Sequence, residues 1–188
     1  MQQLKEIQQI LKTNTRPDAL AAHKKFVPGA EKILGVRMPV LNLLASQFKS
    51  GGFELVQELW KCGSLEEKTL AAKMLGKIAK QDPEQAIELV RLFSSAIEDW
   101  VVCDTLGMQS LKPLVKTHAP AIFKLAGVLN RSSSLWQRRL SLVLVEWYTR
   151  DATKHPQINV LIKALENDNE YYVKKAVAWI KRNMYKGK

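Results

Sequence analysis

The sequence predicts an all-α fold, an α-solenoid of about eleven helices with a concave basic face. Three observations carry this reading. Helix punctuation recurs along the chain, no segment alternates polar and apolar residues long enough to form a strand, and four helices open at near-equal intervals. The 188 residues are 46% hydrophobic and 25% charged, which suits one domain over 1–188 with a core that needs no disulfide or metal staple.

The starts and stops have local causes. Ser64-x-x-Glu67 is a capping box ahead of the apolar-periodic run Leu70, Ala71, Met74, Leu75, Ile78. Asp82-Pro83-Glu84-Gln85 places a cap, a proline at the first helical position, and Gln three residues after the cap. Pro39, Pro120 and Pro156 mark further starts, while Gly51-Gly52 and Gly63 mark ends. Four helices are expected to open at Leu65, Trp100, Trp136 and Tyr171, each after another helix and a short polar turn. Helix pairs at a period of about 35 residues point to a solenoid of the HEAT or tetratricopeptide kind, with an irregular helical bundle as the alternative.

Charge narrows the partners. Lys and Arg number 29 against 18 Asp and Glu, giving +11. The part up to Ser94 holds 14 basic and 10 acidic residues, and the rest holds 15 and 8. A surface so biased attracts a polyanion, of which nucleic acid is the commonest, or is simply a solubilising surface. No apolar run approaches the ~20 residues that cross a bilayer. The opening MQQLKEIQQILKTNT carries no signal-peptide pattern. The expectation is a cytoplasmic protein, associated with the nucleoid when bound to DNA, with no membrane partner. Cys62 and Cys103 are expected to be reduced and buried, and His23, His118 and His155 give no metal pair, so neither metal nor cofactor is expected.

Unusual residues fall on the repeating inner helices. Trp100 and Asp104 are four apart, on one face and one turn from each other. Arg139 follows Trp136 on the next repeat, and Trp179 follows Lys174-Lys175 on the last helix. Each has a plainer reading: core packing for the tryptophans, an ion pair between Arg139 and Asp104, a wet face for the lysines. Trp136 and Trp147 are read as core.

From Phe26 to Arg182 the chain resembles the HEAT-like-repeat DNA alkylation repair enzymes, the AlkD-like alkylpurine DNA glycosylases. The matching residues are Ile33-Leu34-Gly35-Val36-Arg37-Met38-Pro39, then Glu58-Leu59-Trp60 and Ala71-Ala72. Stronger matches are Trp100-x-x-x-Asp104, Leu135-Trp136-Gln137-Arg138-Arg139 and Lys175-Ala176-Val177-Ala178-Trp179. The resemblance implies that Asp104 is the catalytic carboxylate, with Trp100 and Trp179 flanking the sugar of the damaged nucleotide. It places Arg139 on the backbone phosphate beside the lesion, with Arg138, Lys174, Lys175 and Arg37 as further DNA-binding residues. Ala178 stands where glycine is common, residues 1–25 match poorly, and many relatives continue with another repeat.

The activity so implied is excision of positively charged N3- or N7-alkylated purines from double-stranded DNA, by a monomer without cofactor. An alkylated purine leaves as a neutral base, so what remains is to stabilise an oxocarbenium-like sugar and supply water, which a carboxylate does. The alternatives are a relative that binds DNA by shape without cutting it, and a scaffold for protein partners. The Trp100, Asp104, Arg139 and Trp179 set weighs against the first, and the +11 charge against the second.

Overall fold

The structure, a computed structural model, describes residues 2–186. Eleven α-helices run in order: α1 (Gln2–Thr13), α2 (Pro17–Phe26), α3 (Met38–Gln47), α4 (Gly52–Cys62), α5 (Leu65–Ile78), α6 (Pro83–Phe93), α7 (Trp100–Thr105), α8 (Ala119–Asn130), α9 (Leu135–Val143), α10 (His155–Ala164) and α11 (Tyr171–Lys186). There are no strands among the described residues.

The expected caps form. Ser64 Oγ accepts from the Glu67 N–H while Glu67 reaches back to the Ser64 N–H, and the Asp82 side chain accepts from the Gln85 N–H. Prolines 17, 39, 120 and 156 each sit in a first turn, where their missing N–H costs nothing. Gly63 ends α4 at φ 86°, the left-handed conformation that glycine tolerates best. Two boundaries differ from the sequence reading. Gly52, at φ 65°, is the first residue of α4 rather than a helix end. The extended backbone of Ser134 lets α9 open at Leu135, one residue before Trp136. The inner-helix starts are then Leu65, Trp100, Leu135 and Tyr171.

These helices stack in two rows. In the inner row α3 packs on α5, α5 on α7, α7 on α9, and α9 on α11. In the outer row α6 packs on α8 and α8 on α10, while α4 and α8 back onto α5 and α9. One continuous apolar cluster reaches from Ile7 on α1 to Ile180 on α11. This is a solenoid of helix pairs, each pair burying the apolar face of its neighbour.

α5 is the hub, buried at every position from Leu65 to Leu75, including Glu66, Glu67, Lys68 and Lys73. The Glu66 carboxylate accepts the backbone N–H groups of Leu34 at 2.8 Å, Gly35 at 2.7 Å and Val36 at 3.1 Å. Gly35 stands at φ 81° to present its N–H. The Leu-Gly-Val run is thus a loop wrapped around a buried carboxylate.

The inner helices meet closely where side chains vanish. A β-carbon on Gly76 of α5 would lie 2.3 Å from the Gln109 carbonyl oxygen, and one on Gly107 would lie 2.6 Å from Val143 Cγ1. By contrast, Gly127 inside α8 has open space around it. Gly76→Ala and Gly107→Ala are each expected to destabilise by ~1–3 kcal/mol through overpacking. Gly127→Ala is expected to stabilise by ~0.5–1 kcal/mol through helix propensity. Urea unfolding of the three variants checks the contrast; equal shifts would contradict the close approach.

Candidate functional site

Register along the inner row organises the site. Four residues beyond the helix starts stand Asp104, Arg139 and Lys175 on α7, α9 and α11; eight beyond stand Met108, Val143 and Trp179. Positions four apart share a helix face, so Asp104 and Arg139 are neighbours across a repeat and Trp179 lies one turn further along.

α7 is short and pinned at both ends. The Asp99 side chain caps it by accepting the Val102 N–H at 2.8 Å, and burial pushes the Asp99 carboxyl above its ordinary range. Trp100 opens the helix, and its indole Nε1–H donates to the Phe26 carbonyl at 2.9 Å. After Thr105 the chain widens into a π turn, Leu106–Ser110, a feature often found beside functional sites. Asp104 sits on the last turn before that widening.

Asp104 and Arg139 form a two-pronged ion pair. Arg139 Nε donates to Asp104 Oδ1 at 2.9 Å and Nη2 to Oδ2 at 2.8 Å, while Nη1 donates to the Tyr172 carbonyl at 2.7 Å. The Arg139 side chain is 9% exposed and that of Asp104 26%. Burial opposes the guanidinium charge, but the hydrogen bonds and charge of Asp104 outweigh it and hold Arg139 above its ordinary pKa. Burial, and then the Asp104 charge, push the neighbouring Cys103 thiol well above its ordinary value. That thiol is no nucleophile at neutral pH.

The free side of Asp104 opens on a cleft of about 280 Å³ lined by Asp104, Arg139, Lys175, Ala178, Trp179 and Arg182. One carboxylate therefore faces three cations and an indole. No group of three His, Cys, Asp or Glu stands close enough to hold a metal ion among the described residues, nor is any helix there long and apolar enough to cross a membrane.

The structure brings Asp104, Arg139, Lys175 and Trp179 together. Trp100 is half-buried one turn before Asp104 and does not line the cleft. The Arg139 guanidinium is taken up by Asp104 and the Tyr172 carbonyl, the ion pair weighed from sequence. Arg138 points elsewhere: Nε donates to Asp168 at 2.6 Å and Nη1 to the carbonyls of Ser132 and Ser133. Arg37 pairs with Asp18, both exposed, away from the cleft. Lys174 is exposed but lies outside the lining. Trp147 is not core: it is half-exposed beneath Lys112.

Sequence reasoning missed one residue of the cleft lining. Arg182 follows Lys175 and Ala178 at helical spacing, a signal present in the sequence. Phe26, whose carbonyl anchors Trp100, is 60% exposed and lies outside the lining.

The family model described as DNA alkylation repair enzyme matches residues 7–188. The match takes in most of the 1–25 segment, where the motif resemblance is poor. No curated protein matches the chain.

Removing one partner of the ion pair leaves the other unsatisfied. Arg139→Met is expected to cost ~1–3 kcal/mol of stability. In a double-mutant cycle with Asp104→Asn, the two losses should fall short of additive by ~1 kcal/mol or more. Additive losses in urea unfolding would show that the pair does not form in solution.

Proposed function

This chain belongs to the DNA alkylation repair enzyme family, and from that premise we propose that it hydrolyses the N-glycosidic bond of N3- and N7-alkylated purines in duplex DNA. The observation that carries the proposal is the oriented Asp104 carboxylate, held by Arg139 at the mouth of a cleft walled by Trp179, Lys175 and Arg182.

The chemistry follows from the substrate's charge. An alkylated purine is cationic, so when the bond from C1′ to nitrogen breaks, the electron pair moves onto the base and neutralises it. The sugar is left with oxocarbenium character. Asp104 stabilises that charge and accepts a hydrogen bond from the water whose oxygen bonds to C1′. The water's proton passes to the carboxylate or to solvent. No acid is needed at the leaving group.

Trp179 supplies an indole face, worth ~0.5–2 kcal/mol to a cation. It favours the charged lesion over an ordinary nucleotide. Lys175 and Arg182 hold the flanking phosphates, and Arg139 keeps the carboxylate in place. Binding is therefore electrostatic and weakens steeply with salt. An open cleft suits attack from outside the helix better than capture of an extruded base.

Asp104→Asn keeps the shape of the side chain and removes its charge. It is expected to fold, less stably for the broken ion pair, and to bind duplex like the wild type while losing at least ~100-fold in single-turnover base release from methylated duplex. Near-normal release by this variant would remove Asp104 from the chemistry. Salt-sensitive binding without release by either protein would favour a binder that reads DNA shape.

A further inference from the structure

Twelve residues beyond the inner-helix starts, the register brings a different set of side chains together: Lys77, Lys112 and Trp147. With Lys73 they line a second cleft of about 390 Å³, whose floor includes Gly76, Met108 and Gln109. Lys112 Nζ lies 4.6 Å over the Trp147 ring, and the indole N–H donates to the Met108 carbonyl at 2.9 Å. The stacking surface under the lysine is thus itself fixed. Lys73 Nζ donates to Gln109 Oε1 at 3.0 Å.

None of these three lysines meets a carboxylate among the described residues, and neither Lys77 nor Lys112 has a hydrogen-bond partner there. Arg150, whose guanidinium lies over the same indole, is already paired with Glu146 at 3.4 Å. The Lys73 side chain is buried. Burial, and then the charge of Lys77, pull its pKa below the ordinary value. Three like charges around one small cleft repel each other, and an anion seated between them removes that cost.

We propose that the Lys73–Lys77–Lys112 cleft binds a backbone phosphodiester of the same duplex whose damaged sugar faces Asp104. This rests on the DNA-repair reading above. Met108 lines the cleft and lies one turn beyond Asp104, and Lys73 holds on α5 the position that Trp179 holds on α11. On α5 the row of Asp104 falls at Thr69 and the row of Lys112 at Lys77, eight residues of α-helix and roughly 12 Å apart. A duplex carries a phosphate for every ~3.4 Å of axis on each strand, so one seated at Asp104 brings phosphates within reach of the lysines. Lysines are point charges without the fixed fork of arginine. They suit a contact that holds the backbone and reads no sequence.

The test measures binding of an undamaged duplex oligonucleotide over a range of KCl concentrations. Lys77 and Lys112 are exposed, so Lys77→Gln/Lys112→Gln is expected to fold normally. It should lower the slope of log K against log salt by about 1 per lost phosphate contact and weaken binding roughly 10-fold at low salt. Lys77→Arg/Lys112→Arg should restore the slope. A Gln variant with the wild-type slope and affinity overturns the proposal and leaves the active-site reading standing. Wild-type protein that binds no duplex takes both down. Stabilisation of wild type, but not of the Gln variant, by millimolar inorganic phosphate, with duplex binding equal in both, assigns the cleft to a free phosphate and also overturns it.

Discussion

Gly76 and Gly107 let the π turn after α7 lie between α5 and α9 at distances that a β-carbon would forbid, and that contact sets the register of the inner row. Once α7 and α9 lie side by side in register, residues four beyond each start must meet. Asp104 and Arg139 occupy those positions, so a packing constraint becomes an ion pair with two parallel hydrogen bonds. Arg139 also reaches the Tyr172 carbonyl. One guanidinium therefore ties three successive inner helices, and the site and the solenoid share a fastening.

Read along the helices, the same register sorts chemistry into rows. The first carries Trp100 and Tyr171, and the second Asp104, Arg139 and Lys175. The third carries Lys73 and Trp179, and the fourth Lys77, Lys112 and Trp147. Basic groups recur in the last three rows, while the one carboxylate in the cleft is surrounded by cations. The net +11 is thus partly concentrated along a face that also carries indoles.

Much of this was legible before any coordinates. Caps and prolines mark helix starts through local chemistry, so Ser64, Asp82, Pro120 and Pro156 identify them correctly. The 35-residue period gives the pairing of helices. Trp100, Asp104 and Trp179 stand out by type and spacing, although what they touch does not. Arg138 and Arg139 are adjacent and look equivalent in sequence. One turns to Asp168 in the loop before α11 and the other to Asp104 on α7, a difference decided by loop geometry some thirty residues away. Phe26 reaches the neighbourhood of Trp100 only because α2 folds back against the start of α7. Trp147 reads as core by composition, yet it is half-exposed under Lys112 while its neighbours Glu146 and Tyr148 are buried.

The ion pair also limits what reaction the site can perform. A carboxylate has about four acceptor positions, and Arg139 occupies two. The remaining two, on the proposed reading, take one water and the sugar edge, and a carboxylate has no proton to give a poor leaving group. On the proposed reading, selectivity then begins with the substrate: only a base that departs unaided, because it already carries positive charge, is released. On the same reading Lys175 and Arg182 sharpen this in an indirect way. They would repel a cationic base but attract its phosphates, so the backbone is drawn to them while the base is left to the indole of Trp179. Separation of the two charges of one nucleotide, phosphate to the lysine and arginine and base to the aromatic face, orients the sugar between them toward Asp104. Recognition of the lesion and alignment for its removal are then one electrostatic act, and neither needs a pocket that encloses the base.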